Sequence, residues 1–387
     1  MIERHYLDNT WVELSESAYA HNLKFFRNLI DKKTELSVVV NANAYGHGWQ
    51  SIARLAMKHG ADSFCVHSLD EGLRLRRAGF SQNILIMGYV PLNRLEEVVE
   101  ENFRLVVFNR ETLLTLAEIT SRLSKLARVH LKLETGTHCQ GIPQDELEWF
   151  IDTLKQTPRV MLEAVYTHFA NIGDSTSHDY ANYQKYTFNQ LVNIIRDAGF
   201  PILKRHAACT AAMLLFPETH MDMVRLGIGQ YGLWPSPETF TSYRKKIGKG
   251  TERLLRPVLS WKARVSQLKW VDTDNTIGYG RTYKTTRRTR IAVIPVGYSD
   301  GYDRDLSNKA HVLIHGKRAP VRGRVCMNLT IVDVTDIPEV KLEDEVVLIG
   351  KQGKKQIRAD DLAAWCGTIN YEIVSRINSD IPRIIVK

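Results

Sequence analysis

SVVVNANAYGHGW, residues 37–49, is the stretch from which the fold can be read. A β-branched run of the kind that fills a strand buried on both faces stops at the polar Asn41. It then becomes a loop with a tyrosine, a histidine and two glycines. Working outward, similar runs recur: SFCV at 63, ILIMG at 84, LVVF at 105, RVHLKLE at 128, VMLEAVYTHF at 160, ILKRHAA at 202 and MVRLG at 223. With the first, these make eight. Longer amphipathic stretches separate them, among them SLDEGLRLRRAG from Ser68, with a Ser cap and a Glu three residues on, and NRLEEVVEEN from Asn93. Eight strand-helix repeats within roughly 200 residues predict an α/β fold, a (β/α)8 barrel with its site on the loops after the strands. A doubly wound open sheet is the alternative, but the first strand is not succeeded by a G-x-G-x-x-G.

After Gly232 the texture changes. SPETFTSYRKKIGKGTERLLRP is polar and turn-prone and reads as a linker. Beyond it, LSWKARVSQLKWV, RIAVIPVG, HVLIHGKRAPVRGRV, LTIVDV, EVVLIG and RIIVK predict a mostly β, antiparallel C-terminal domain with a helix near RADDLAAWCG. The expected division is a strand within residues 1–12 that pairs with the C-terminal domain, a barrel over 13–245 and the β-rich domain over 246–387.

The 387 residues carry 44% hydrophobic and 25% charged side chains, as globular rather than disordered chains do. No signal layout or membrane-length apolar run is present, so the expectation is a cytoplasmic protein. Five scattered cysteines without a C-x-x-C pair argue against a disulfide framework and against a structural metal site. The net charge of +9 invites a nucleic-acid reading, but its basic patches, YRKKIGKG and YKTTRRTR, lack interleaved stacking aromatics. A solvated surface, or a field that gathers small anions, accounts for them.

The candidate site residues at and just beyond the strand ends are Asn41 with Tyr45, His67, Tyr89, Asn109, Glu134, His168, Cys209 with Thr210, and Arg225 with Gly227 and Ile228. Any one of these could be no more than the polar end of a strand. As a set on a barrel's C-terminal face they point to a phosphorylated ligand, held by the glycine turn of RLGIG and the hydroxyl of CTAAM, with Arg225 aimed at the same mouth.

VVVNANAYGHG resembles the cofactor-anchoring segment of bacterial alanine racemases, whose usual form is V-V-K-A-N-A-Y-G-H-G. The resemblance continues in order through THFANIGD, HAACTAA, VRLGIGQYGL, IGYGRTY, PVGYSDGY, GRVCMN, NYEIVSRI and IPR. It implies a (β/α)8 barrel, a β-rich C-terminal domain, bound pyridoxal 5'-phosphate and a homodimer whose site is shared between subunits. By the same resemblance Tyr45, Thr210, Gly227, Ile228 and Tyr371 hold the phosphate, and Arg225 faces the pyridine nitrogen. His168 buttresses that arginine, and Tyr279 reaches over from the partner subunit as one catalytic base. Met327 meets the substrate carboxylate through its backbone, while Tyr298, Arg304 and Arg324 match the entrance corridor.

Two departures stand out. Asn41 occupies the position of the lysine that tethers the cofactor and serves as the second base, and an amide can do neither. Lys132 matches a lysine that many members carbamylate, but the arginine seven residues on is here Cys139. Cys209 and Asn328 are milder changes, replacing an asparagine and an aspartate. The implied activity is interconversion of L- and D-alanine for peptidoglycan synthesis, impaired by Asn41, with serine or another small amino acid also open as substrate. The alternative is a non-racemising homologue that binds pyridoxal phosphate or another phosphorylated ligand without a covalent link.

Overall fold

The apolar runs become strands. In the computed structural model, which describes residues 8–173, 176–201, 204–248 and 254–387, they are β2 (Glu35–Val39), β3 (Ser63–Val66), β4 (Ile84–Ile86), β5 (Arg104–Val107), β6 (Ala127–Lys132), β7 (Val160–Tyr166), β8 (Lys204–His206) and β9 (Met223–Leu226). All pair in parallel in the order β8-β7-β6-β5-β4-β3-β2-β9. Between the end strands, Arg225 N–H donates to Ala208 O at 2.9 Å and Asp222 N–H to Arg205 O at 3.2 Å, which brings the sheet almost to closure. These strands belong to one compact unit, residues 20–41 and 53–256. The short strands are nearly all buried because they face side chains within the ring and helices outside it.

The helices start where their caps dictate. Ser68 and Glu71 form the reciprocal capping box ahead of Leu69–Arg77, and Asn109 accepts the Thr112 N–H ahead of Arg110–Leu123. One expectation fails. The polar stretch read as a linker contains a helix, Pro237–Ile247. Ser236 accepts the Thr239 N–H at 2.9 Å, Pro237 opens the first turn, Glu238 lies near its amide end, and Arg244, Lys245 and Lys246 line the last turn. The end signals are present in the sequence but are outweighed there by composition. Residues 249–253 of that stretch lie outside the described residues, as do 202–203 and residues 1–7.

The second unit comprises residues 1–19, 42–52 and 257–387. Its main sheet runs β16 (Lys317–Pro320), β15 (His311–Ile314), β18 (Glu345–Gln352), β10 (Leu259–Arg264), β1 (Thr10–Ser15), β20 (Arg383–Val386), with β19 (Lys355–Ile357) also on β18. A second sheet orders β11 (Gln267–Val271), β14 (Thr289–Ile294) and β17 (Thr330–Asp333), and β12 (Thr276–Ile277) pairs with β13 (Tyr283–Lys284). Every pairing is antiparallel except β1 with β20. Thr10–Ser15 thus pairs with this unit's strands β10 and β20. The run LSWKARVSQLKWV splits between the two sheets, β10 alternating buried and half-buried and β11 lying largely exposed.

Candidate active site

At the mouth of the barrel the most constrained side chain is Arg225, 4% exposed near the C-terminal end of β9. Its Nη1 donates to His206 Nδ1 at 2.6 Å. Its Nη2 donates to Thr167 O at 3.0 Å, and to Ala207 O and His168 Nδ1 at 3.3 Å each. The guanidinium carbon lies 4.9 Å from the Tyr166 ring centroid, and His206 stacks on the same ring at 4.6 Å and 2°. Burial, then the Arg225 charge, holds His206 well below the usual imidazole range. His168 is exposed on the outer side of the mouth; lost hydration, followed by the charges of Arg225 and Lys132, lowers its pKa. Both histidines are therefore neutral near pH 7 and can accept from the arginine.

Next to it a glycine turn is drawn in by a threonine hydroxyl. Thr210, first residue of the helix Thr210–Leu215, accepts the N–H groups of Gly227 and Gly229 at 3.2 and 3.3 Å. A Cβ on Gly229 would sit 2.4 Å from Phe26 and 2.6 Å from the Thr210 methyl, so only glycine lets this turn close. Gln230 then donates to Val39 O, Leu226 O and Gly227 O, and the Tyr231 hydroxyl also donates to Val39 O. These bonds tie the turn after β9 to the end of β2, where Asn41 begins. Asn41 Oδ1 is buried with no hydrogen-bond partner among the described residues.

Lys132 ends β6, buried, with Nζ 3.4 Å from Gln140 Oε1; burial, offset in part by Cys139 and Glu134, lowers its pKa. Cys139 itself is exposed on the loop beyond. Glu134 shapes that loop: it accepts from the amides of Gly136, Thr137 and His138, which outweigh burial and lower its pKa. Asn109 proves to be a helix cap, Tyr89 is exposed, and Cys209 precedes the helix that Thr210 opens.

In the other unit the ANAYGHG segment, residues 42–48, takes an unusual path. Ala42, Asn43, Ala44 and Tyr45 have φ between 50 and 55°, four consecutive non-glycine residues in the left-handed region. Each costs about 1–2 kcal/mol, so packing must hold them. Gly46, at φ 78°, lies where a Cβ would stand 1.8 Å from Val374 O. Val374 belongs to the helix Asn370–Ser375, which carries Tyr371. The Tyr45 and Tyr371 rings come within 5.9 Å as a result. Arg383 completes the clamp, donating to the carbonyls of Gly46, Ile377, Asn378 and Ile381, with its pKa lowered by burial to about 10.

Also in this unit, Gly278 and Gly280, both at positive φ, flank Tyr279 between β12 and β13 and present it at 75% exposure. The Arg324 side chain reaches the same turn, its Nη1 2.9 Å from where a Gly280 Cβ would be. Met327 is exposed, and its carbonyl accepts from the Ser299 N–H and hydroxyl, while Asn328 Nδ2 donates to Ser299 Oγ. Tyr298 N–H donates to Cys326 O, fixing the PVGYSDGY turn against the GRVCMN loop. Arg304 opens a short 3-10 turn after it.

The barrel-mouth donors suit a ligand with a phosphate and an aromatic acceptor nitrogen, whereas residue 41 offers no nucleophilic amine. Sequence reasoning misses His206, His130, Tyr166 and Gln230, which hold Arg225 and the turn from behind. Their signal is faint: His130, Tyr166 and His206 are polar residues among others inside the runs RVHLKLE, VMLEAVYTHF and ILKRHAA, and Gln230 follows the glycine turn of RLGIG.

Comparison with known proteins agrees with this geometry. Residues 14–235 match the alanine racemase N-terminal domain family, and 258–385 match the alanine racemase C-terminal domain family. An alanine racemase of Leptospira interrogans serovar Lai is 38% identical over 380 residues, which covers 98% of this chain and 96% of that one. The crystal structure of alanine racemase from Bacillus anthracis with bound L-Ala-P superposes with a TM-score of 0.90 at 35% identity, covering 98% of this chain and 95% of that one. A histidine racemase from Leuconostoc mesenteroides subsp. sake gives 0.86 at 28% identity, with 98% and 99% covered. Fold, motif order and full-length similarity concur, and the chain belongs to the alanine racemase family.

Proposed function

We propose that the protein binds pyridoxal 5'-phosphate and interconverts the enantiomers of alanine at a rate much reduced by Asn41. The observation that carries the reading is the buried Arg225, braced by Tyr166, His206, His168 and two carbonyls at the mouth of a barrel of this family. Thr210, Gly227 and Ile228 are assigned to the phosphate. Tyr45 and Tyr371 receive the same role from their match to the family's positions, which their ring proximity supports. When bound, the cofactor supplies a conjugated ring that spreads the charge left as an amino acid's α-proton departs. An arginine offers only donors, so Arg225 presents a permanent charge and no exchangeable acceptor to the ring nitrogen, which favours simple proton return.

Tyr279 is assigned as the base on one face, Met327 N–H as the carboxylate donor, and His168 as the neutral brace that keeps Arg225 in line. Exposure of Tyr279, Met327 and Tyr298 supports a homodimer in which one protomer's tyrosine serves its partner's site. The carboxamide of Asn41 can neither attack a carbonyl carbon nor carry a proton, so the second face lacks its base. Loss of one acid-base group removes about 10²–10⁴ from the rate. The unpartnered Oδ1 of Asn41 favours a second reading as well, a non-racemising homologue that holds the phosphorylated ligand without a covalent link. A cytoplasmic location, a role in supplying D-alanine for peptidoglycan, and tolerance of serine are further parts of the proposal carried by the resemblance. No described helix is long and apolar enough to cross a membrane.

The deciding experiment adds pyridoxal 5'-phosphate to the chain and to Asn41→Lys, reduces each with borohydride, weighs the intact proteins and assays alanine racemisation. The expected result is an adduct and racemisation at least ~100-fold faster in Asn41→Lys only. An adduct on Asn41→Lys without racemisation would favour the non-racemising homologue; failure of both proteins to bind the cofactor would end the racemase reading and reduce the second to another phosphorylated ligand.

A further inference from the structure

The barrel end opposite the mouth holds a small pocket in which Glu35, Ser63, Arg104, His130, Glu163 and Lys204 meet apolar neighbours such as Phe64 and Leu85. Lys204 pairs with Glu35 at 2.9 Å, and Arg104 with Glu163 at 3.3 Å. Glu163 is there because of a β-bulge. Between β6 and β7, Val129 pairs with Leu162 but His130 with Ala164, leaving Glu163 as the extra residue. Bulges re-aim side chains, and here the carboxylate is only 15% exposed.

A hydrogen-bond chain of forced polarity reaches this pocket from Arg225. Arginine can only donate, so His206 Nδ1, 2.6 Å from Arg225 Nη1, must be the lone-pair nitrogen. A neutral His206 then carries its proton on Nε2, which donates to His130 Nδ1 at 3.0 Å. His130 in turn must carry its proton on Nε2. That nitrogen is buried and without a hydrogen-bond partner among the described residues; Glu163 Oε2 also lacks a hydrogen bond there, with the Arg128 charge 3.6 Å away at Nη1. The residues thus bring a donor and an acceptor, each without a hydrogen bond, to a single pocket. A cation would face the His130 N–H, Arg104, Lys204 and the Arg128 that pairs with Glu163, and an anion would face Glu163 and Glu35. A neutral amphiprotic molecule satisfies both.

We propose that a buried water accepts from His130 Nε2–H and donates to Glu163 Oε2, closing a one-way chain Arg225–His206–His130–water–Glu163 that makes Glu163 a positioning residue for Arg225. The proposal rests on the functional reading above only for what Arg225 faces. Burial foremost, then Lys204, Arg104 and Arg225, lower His130 to about 3, in keeping with a neutral ring.

The test begins without any cofactor. Nitrogen-15 NMR of the histidine-labelled chain, with His130→Gln and His206→Gln used for assignment, should find both rings neutral and protonated on Nε2 at pH 7. A proton on Nδ1 of either ring, or a doubly protonated His206, overturns the chain. A crystal structure should show the water bonded to both His130 Nε2 and Glu163 Oε2; a carboxylate directly on His130, or a dry pocket, overturns the water. Glu163→Leu removes the acceptor and should weaken pyridoxal 5'-phosphate binding about tenfold, while Glu163→Gln keeps an acceptor carbonyl and should stay within about twofold. Equal loss in both variants overturns the positioning role, and if Glu163→Leu does not fold, His130→Phe supplies the broken chain. Should the cofactor not bind at all, the NMR and the crystal still decide the inference.

Discussion

Replacing Gly46 by alanine is the sharpest test of how the ANAYGHG segment is held. The new Cβ would sit 1.8 Å from Val374 O and 2.7 Å from Val374 C. Nonbonded heavy atoms settle at about 3.5 Å, so the backbone of the Asn370–Ser375 helix would have to retreat by roughly 1.7 Å. The residue also sits at φ 78°, which costs a side chain about 1–2 kcal/mol. Overpacking adds about 1–3 kcal/mol, giving roughly 2–5 kcal/mol in all. Gly367→Ala separates the two contributions, because Gly367 has φ 70° but nothing within 4 Å of its would-be Cβ. Urea denaturation of both variants beside the parent chain is the assay, read as midpoint shifts at unchanged slope. Gly46→Ala should fall well below Gly367→Ala, and the retreat should carry Tyr371 away from Tyr45 and weaken binding of pyridoxal 5'-phosphate. If the two variants lose equal stability, steric closure at Val374 does not hold the segment and the reasoning fails.

Two further perturbations test named groups. His47 and His130 are buried, with pKa values lowered to about 4 and about 3, in each case by burial first. Unfolded, each would titrate near 6.5, so the unfolded chain binds more protons below that pH. Their contribution to stability is full above about pH 6.5 and is lost as pH falls toward 4 and 3, about 2 kcal/mol each by pH 5. A urea midpoint that stays flat from pH 7 to 5 would contradict this. Ser236→Ala removes the cap of the helix Pro237–Ile247 and should cost about 1 kcal/mol in the same assay, whereas a linker would tolerate it without change.

How much of the molecule is legible in the sequence differs by level. The barrel is legible because each β-branched run is short and apolar throughout, and a parallel strand buried on both faces permits little else. Helix starts at Ser68 and Asn109 can be read from local capping chemistry, yet the same chemistry at Ser236 loses to the polar composition around it. Of the candidate residues, Arg225, Thr210 and Gly227 stand out through a glycine turn at a strand end. His206 and His130 do not, since a lone histidine inside a strand looks the same whether it faces a ring of neighbours or a helix.

The sequence by itself determined the order of the eight barrel strands, the motif series of the family and the absence of a lysine at residue 41. These are properties of neighbours along the chain: periodicity, turn residues and functional-group identity. Only the tertiary structure decided the proton polarity behind Arg225, the bulge that turns Glu163 inward and the left-handed path held by Gly46. Each depends on atoms brought together from distant strands, where one donor, one extra residue or one missing Cβ sets what its partners can do.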